Sequence, residues 1–261
     1  MRGLYAIYKK EMNHYFVSPV AYIIACVFLA LSGVFFSNYL VEVTNYANRL
    51  MLQGMQMGQP ANFDVPSVFL RIFLGTIGIV ILFFTPLLTM GVYSEERKRG
   101  TMELLMTSPI TDAQIVLGKF LASFSLLVVM ILPTVFYVIY IFAHSDPAPP
   151  WRIIAGGYLG VLLLGAMLLA LGSFLSSLTE NQIVSGVMIL GLSLLLWLLG
   201  AFSQGTSALA QSLQYAAVLE HYNPFVQGII DTTGLVFFGC WIFLGIFLTL
   251  RSVESMRWRR A

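Results

Sequence analysis

An all-α integral membrane protein with six transmembrane helices is the fold class that this sequence predicts, and three observations predict it. Apolar residues make up 58% of the 261 positions, charged residues only 10%, and mean hydropathy is +0.84. Soluble domains of this length are not composed in this way. The apolar residues gather into runs of about 20, enough for a helix rising ~1.5 Å per residue to cross a hydrocarbon core ~30 Å thick. Lys and Arg, finally, collect at one set of run ends. Arg2, Lys9 and Lys10 lie before the first run; Arg97, Lys98, Arg99 and Lys119 lie around the centre; Arg251, Arg257, Arg259 and Arg260 follow the last. Only Arg49, Arg71 and Arg152 fall on the other side. The positive-inside rule then places both termini and the central loop in the cytoplasm, with the chain as a multi-pass membrane protein.

The N-terminal residues, 1–16, read as an amphipathic helix. At 100° per residue Leu4, Tyr5, Tyr8, Met12 and Tyr15 share one side and Arg2, Lys9, Lys10 and Asn13 the other, a pattern suited to a helix lying in the lipid interface. Ser18-Pro19 turns the chain inward to a first span over 17–40. This run is too long for a signal peptide. Ile23-Ile24-Ala25-Cys26 only loosely matches a lipoprotein cleavage box, because the apolar run continues beyond it. A polar stretch over 41–67 is expected to be an outer loop. The second span covers 68–92, with a kink at Pro86 and Arg71 snorkelling at its outer end.

Further spans are expected over 117–143, 153–178, 183–202 and 234–250. The fourth carries Gly156 and Gly160 at the spacing that lets helices approach closely. Ser176 to Gln182 reads as a very short turn. Residues 203–233 are too broken to span cleanly and read as two short helices, about 207–219 and 224–231, that dip back toward the membrane. In this segment Glu220, His221 and Asp231 are candidates for outer-face contacts with a partner or substrate, or else cap short helices and meet water. Cys26 and Cys240 lie in different apolar runs, and His14, His144 and His221 in different segments, so neither a disulfide framework nor a metal site is expected. Nothing in the sequence points to a nucleic-acid partner.

The stretch from Tyr93 to Asp112 stands out in this apolar chain. Six of its residues from Glu95 to Glu103 are charged. Gly100 interrupts it, Thr101 is placed as an N-cap with Glu103 in the first helical turn, and a short helix over 102–107 presents Leu104 and Leu105. Ser108-Pro109 stops that helix. Thr111-Asp-Ala-Gln114 is a capping box, with Ile110 and Ile115 as a hydrophobic staple, so a new helix starts there and runs into the third span. A short rigid helix held between two spans can transmit force, because moving it moves both.

Glu95-Glu96-Arg97-Lys98-Arg99-Gly100-Thr101-Met102-Glu103-Leu104-Leu105, followed by Ser108-Pro109-Ile110 and Gly118-Lys119, resembles the signature of ABC-2 type transporter permeases. The resemblance extends over nearly the whole chain. His221-Tyr-Asn-Pro-Phe225 with Gly228 and Asp231 is similar to the permeases of gliding-motility and nitrous-oxide-reductase maturation systems. The resemblance implies that two permease chains pair, as a homodimer or with a paralogue, above cytoplasmic ATPase subunits that use ATP and Mg. It also implies that the segment around 101–107 acts as a coupling helix, with Glu95, Glu96, Arg97, Gly100, Thr101, Glu103, Leu104 and Leu105 at the joint. Gly118-Lys119 is followed by Phe120 and lacks the upstream glycine of a phosphate loop. The ATPase is therefore expected on a separate polypeptide, and this chain is expected to bind no cofactor and to be no enzyme. A second reading is mechanical: the same helices pass motion to an extracytoplasmic partner and transport nothing. A third class is an ATP-independent channel or intramembrane enzyme.

Overall fold

Helices account for all the regular structure among the described residues, and six segments are long and apolar enough to cross a membrane. The computed structural model describes residues 2–57, 64–107, 110–145, 148–202 and 214–258. The helices are α1 (Arg2–Val17), α2 (Pro19–Met57), α3 (Val65–Thr89), α4 (Ser94–Lys98), α5 (Thr101–Thr107), α6 (Asp112–Ile131), α7 (Val135–His144), α8 (Trp151–Leu178), α9 (Gln182–Phe202), α10 (Val218–Val226) and α11 (Thr232–Trp258). The six apolar segments are α2, α3, α6 with α7, α8, α9 and α11. A 3-10 turn over Leu132–Thr134 joins α6 to α7, at the point where Pro133 supplies no backbone N–H.

Helix α8 is the hub, packed against α3, α6, α9, α10 and α11. Lipid removes the hydrophobic drive between helices, so close packing must hold them together, and α8 obtains it by omitting side chains. A Cβ at Gly157 would lie 2.3 Å from Leu74 of α3, one at Gly165 2.3 Å from Leu127 of α6, and one at Gly172 2.4 Å from Thr89 of α3. The Gly156–Gly160 pair seats α10. A Cβ at Gly160 would fall 2.6 Å from that of Phe225, and one at Gly156 2.9 Å from the Phe225 carbonyl.

Three elements differ from the sequence expectation. The stretch after Leu40 is not a loop: α2 continues to Met57, and Val43 and Ala47, one turn apart, are buried. Its polarity suggested a loop, but between Val41 and Met57 there is no proline and the side chains are mostly compatible with helix. Residues 58–63 of that stretch lie outside the described residues. Beyond them Asp64 accepts a hydrogen bond from the Ser67 amide (3.2 Å), with Pro66 in the first turn of α3. A cleft of about 750 Å³ opens between α2 and the start of α3, lined by Tyr39, Glu42, Arg49, Val68 and Ile72.

The second difference is α10. Pro224 does not start a helix but sits inside one that begins at Val218, because Val218, Tyr222, Phe225 and Val226 form a buried helical face. Gly228, at φ +82°, ends it. The Gly228 amide donates to the Phe225 carbonyl (3.0 Å) and the Ile229 amide to the Pro224 carbonyl (2.9 Å), the paired bonds of a Schellman cap. The first of the two expected short helices falls largely on 203–213, outside the described residues. The third difference is α11, which runs past Leu250 to Trp258 and so orders most of the basic tail as helix.

Candidate functional site

The charged stretch folds into a joint where α1, α4, α5, α6 and α8 meet, on the face that carries the N-terminus and the end of α11. Helix α3 ends at Thr89, and the chain must then turn into α4 within a few residues. The polar backbone groups freed by that turn need partners. Ser176 of α8 provides them: its hydroxyl accepts from the amides of Tyr93 (3.2 Å) and Ser94 (3.3 Å) and donates to the Met90 carbonyl (3.1 Å). Arg97 fastens the same helix to the end of α8, donating to the Ser177 carbonyl (2.7 Å) and to Glu180 (3.1 Å). Ser177 in turn bonds Ser252 of α11 (2.8 Å).

On its other side α4 meets two helices through charge. Lys119 of α6 is 1% exposed. Its ammonium lies 2.9 Å from Glu11 of α1, 3.0 Å from Glu96 of α4 and 3.0 Å from the Val92 carbonyl, and 5.4 Å from the centroid of the Tyr93 ring. Lys10 of α1 bridges back to Glu96 at 2.9 Å. Two cations and two carboxylates thus balance in a node drawn from three helices. Helix α1 is held along α6 by Tyr8 to Ser125 and Tyr15 to Ser123, both 3.1 Å. Burial pushes the Tyr15 phenol up to about 12, opposed by its hydrogen bond with Ser123, so it stays neutral there.

Gly100, at φ +70°, turns the chain from α4 into α5, a backbone shape that side-chain-bearing residues rarely adopt. Helix α5 has two sides. Met102 enters a small core with Val92, Tyr93, Val116 and Val253, and so packs against α6 and α11. Thr101, Glu103, Leu104 and Thr107 face outward, Leu104 being 72% exposed, while Leu105 is half-buried. The Thr101 hydroxyl donates back to the Glu96 carbonyl (3.3 Å), tying α5 to α4, a role other than the N-cap suggested by the sequence. Glu95 pairs with Arg99 one turn on. Ser108 and Pro109 lie outside the described residues. The capping box at Thr111 and Gln114 is present at the start of α6, and Asp112 there pairs with Arg257 of α11 (3.2 Å).

The structure therefore divides a group that the sequence presents as one. Glu96 and Arg97 are internal struts, Glu95 has a local partner, and Glu103 and Leu104 face outward. On the opposite face Glu220, His221 and Asp231 are not gathered into one contact set. Glu220 is exposed. His221 stacks on Phe237 (ring centroids 3.9 Å apart) with its Nδ1 3.2 Å from the Ala217 carbonyl. Asp231 accepts from the Thr233 amide (3.2 Å) at the start of α11. Sequence reasoning missed Glu11, Lys119 as a node residue and Ser176. A signal was present for two of them: Lys119 interrupts an apolar run, and Glu11 lies on the face of α1 that holds Ile7, Tyr8 and Tyr15.

Fold and joint together define a multi-pass membrane protein with a structured polar device at one surface. The profile of the family described as "ABC-2 family transporter protein" matches residues 5–248, nearly the whole chain. The chain belongs to that family of transporter permeases. It is also 28% identical over 205 residues to the "Probable multidrug ABC transporter permease YbhR" of Escherichia coli K12, and equally to the protein of the same name in Escherichia coli O157:H7. Each alignment covers 76% of this chain and 52% of the relative. The chain spans about half the length of the curated relatives it matches.

Proposed function

We propose that this chain is the permease subunit of an ABC transporter, moving a substrate with energy from a separate ATPase subunit that hydrolyses ATP with Mg. A second permease chain, identical or paralogous, completes the pathway. The face bearing the joint is cytoplasmic and both termini lie on that side, a reading supported by the clustering of Lys and Arg there. The relatives' Escherichia coli origin is in keeping with a bacterial inner membrane, and their description as multidrug transporter permeases favours transport over a purely mechanical role. The finer assignment to the gliding-motility and nitrous-oxide-maturation branch is supported by His221 to Phe225 with Gly228 and Asp231 alone, as is an extracytoplasmic partner meeting the exposed Glu220.

The observation that carries this reading is the two-sidedness of α5. Leu104 projects outward, where a partner's groove would hold it, while Met102 is buried on the ends of the spanning helices. A push on α5 is then delivered through packed contacts to the turn that follows α3, to α6 and to α11, and onward to α8 through the polar bonds of Ser176 and Arg97. The test is Leu104→Glu beside Glu103→Lys in the complex purified from native membranes. Leu104→Glu should insert and melt like the parent, since its side chain is exposed, while ATPase recovery falls by about tenfold in either variant, as for loss of an interface anchor. Undiminished recovery and hydrolysis in both variants would remove α5 from the contact.

A further inference from the structure

The Lys119 node asks for a reason to exist. Burying an ammonium and carboxylates carries a desolvation penalty, and well-packed apolar side chains of similar volume often do as well or better for stability. What the charges add is directional pairing between specific elements. Glu11 comes from α1, Glu96 from α4, Lys119 from α6, and the Val92 carbonyl from the chain leaving α3. The other charged groups nearby are committed elsewhere: Arg97 to α8 and the following turn, and Glu95 to Arg99. Next to the node α1 and α6 also approach closely. A Cβ at Gly118, next to Lys119, would lie 3.0 Å from the Ile7 Cβ and 3.2 Å from the Leu4 carbonyl.

We infer that Lys119 is a positioning residue for coupling: it latches α1 to α4 and α6 so that the three move as one body when α5 is pushed. The N-terminal helix is then a working part of the joint and not only a float on the lipid surface. Without the latch α4 can slide against α1 and α6, and displacement of α5 is lost before it reaches the spanning helices. This rests on the ABC permease reading above, and the experiment separates the two.

The test uses the intact permease–ATPase complex, with ATP hydrolysis stimulated by the permease as the readout. Lys119→Met leaves Glu11 and Glu96 with Lys10 as their remaining cation, so it is paired with the double variant Lys119→Met/Glu11→Gln, which restores the charge balance without restoring the latch. The double variant should assemble with its ATPase and melt near the parent, yet stimulate hydrolysis about tenfold less, the size of effect expected for a disrupted coupling contact. A covalent latch should repair it. Ile7→Cys/Gly118→Cys, oxidised in the double-variant background, should recover most of the stimulation and lose it again on adding reductant. Full stimulation by the unlatched double variant would overturn the inference, as would a fully formed disulfide that recovers nothing. If the parent chain itself recovers no ATPase, the permease reading fails instead. The latch is then judged by proteolysis of α1, which should quicken in the double variant and slow on oxidation; equal rates would overturn it.

Discussion

Helix α8 holds a short helix at each end, and it holds them by opposite means. Near Gly156 and Gly160 it grips α10 by shape: Phe225 fills the space that side chains would occupy, Tyr222 covers Gly78 of α3, and one buried hydroxyl, Tyr222 to the Leu74 carbonyl (2.6 Å), fixes the register. Near Ser176 it grips α4 by polar bonds, through the Ser176 hydroxyl, the Ser177 carbonyl and the Arg97 guanidinium. Interlocked shapes have one low-energy fit and resist sliding. Hydroxyls and charged groups on long side chains can exchange partners. The two ends teach that one helix can hold its neighbours by fit alone at α10 and by directional polar bonds at α4.

Substitutions can break or sharpen that contrast. The largest effect is expected from Glu96→Ala, which strips the node of one of its two carboxylates and leaves Lys10 and Lys119 sharing Glu11. Loss of one member of a buried ion cluster costs about 3–5 kcal/mol, so the protein should lose its monodisperse elution in mild detergent well below the parent's melting midpoint. Next is Gly160→Val, which drives a side chain into Phe225. Overpacking of this kind costs about 1–3 kcal/mol and should lower the midpoint while leaving recovery of the ATPase intact, since the joint lies at the other end of α8. Tyr222→Phe keeps the shape and removes the hydroxyl, for a loss of about 1 kcal/mol. A Tyr222→Phe loss as large as that of Gly160→Val would mean that α10 is held by its hydrogen bond and not by its fit. The smallest change is expected from Arg251→Ala. Its pair with Glu254 is largely exposed, and surface pairs contribute little, so the midpoint should not move measurably.

The parts of the fold legible in the sequence were those set by local chemistry. Six apolar runs, the break at Ser18-Pro19, the turn between Leu178 and Gln182 and the capping box at Thr111 each announce themselves within a few residues. What was hidden depends on neighbours. Helix α2 runs through a polar stretch because Val43 and Ala47 find a buried face, and polarity alone does not report that. Pro224 reads as a helix start until Val218 and Tyr222 are seen to be buried ahead of it. Gly100 and Thr101 marked the start of α5 correctly, but the hydroxyl's partner is a carbonyl of the preceding helix. In the joint, the charged run was visible as a unit. Its division into struts and outward-facing groups was not, because Lys119 and Ser176 approach it from far along the chain.

Helix α2 has 39 residues and so a length of roughly 58 Å, about twice the hydrocarbon thickness. It is therefore a lever whose far arm is long. A change in tilt of about 5° at Pro19 displaces the Met57 end by about 5 Å, more than a water diameter, while the base hardly moves. The cleft lined by Glu42 and Arg49 lies along that far arm, against α3. Its width is accordingly sensitive to small rotations at the foot of α2, where Ser18 separates it from α1.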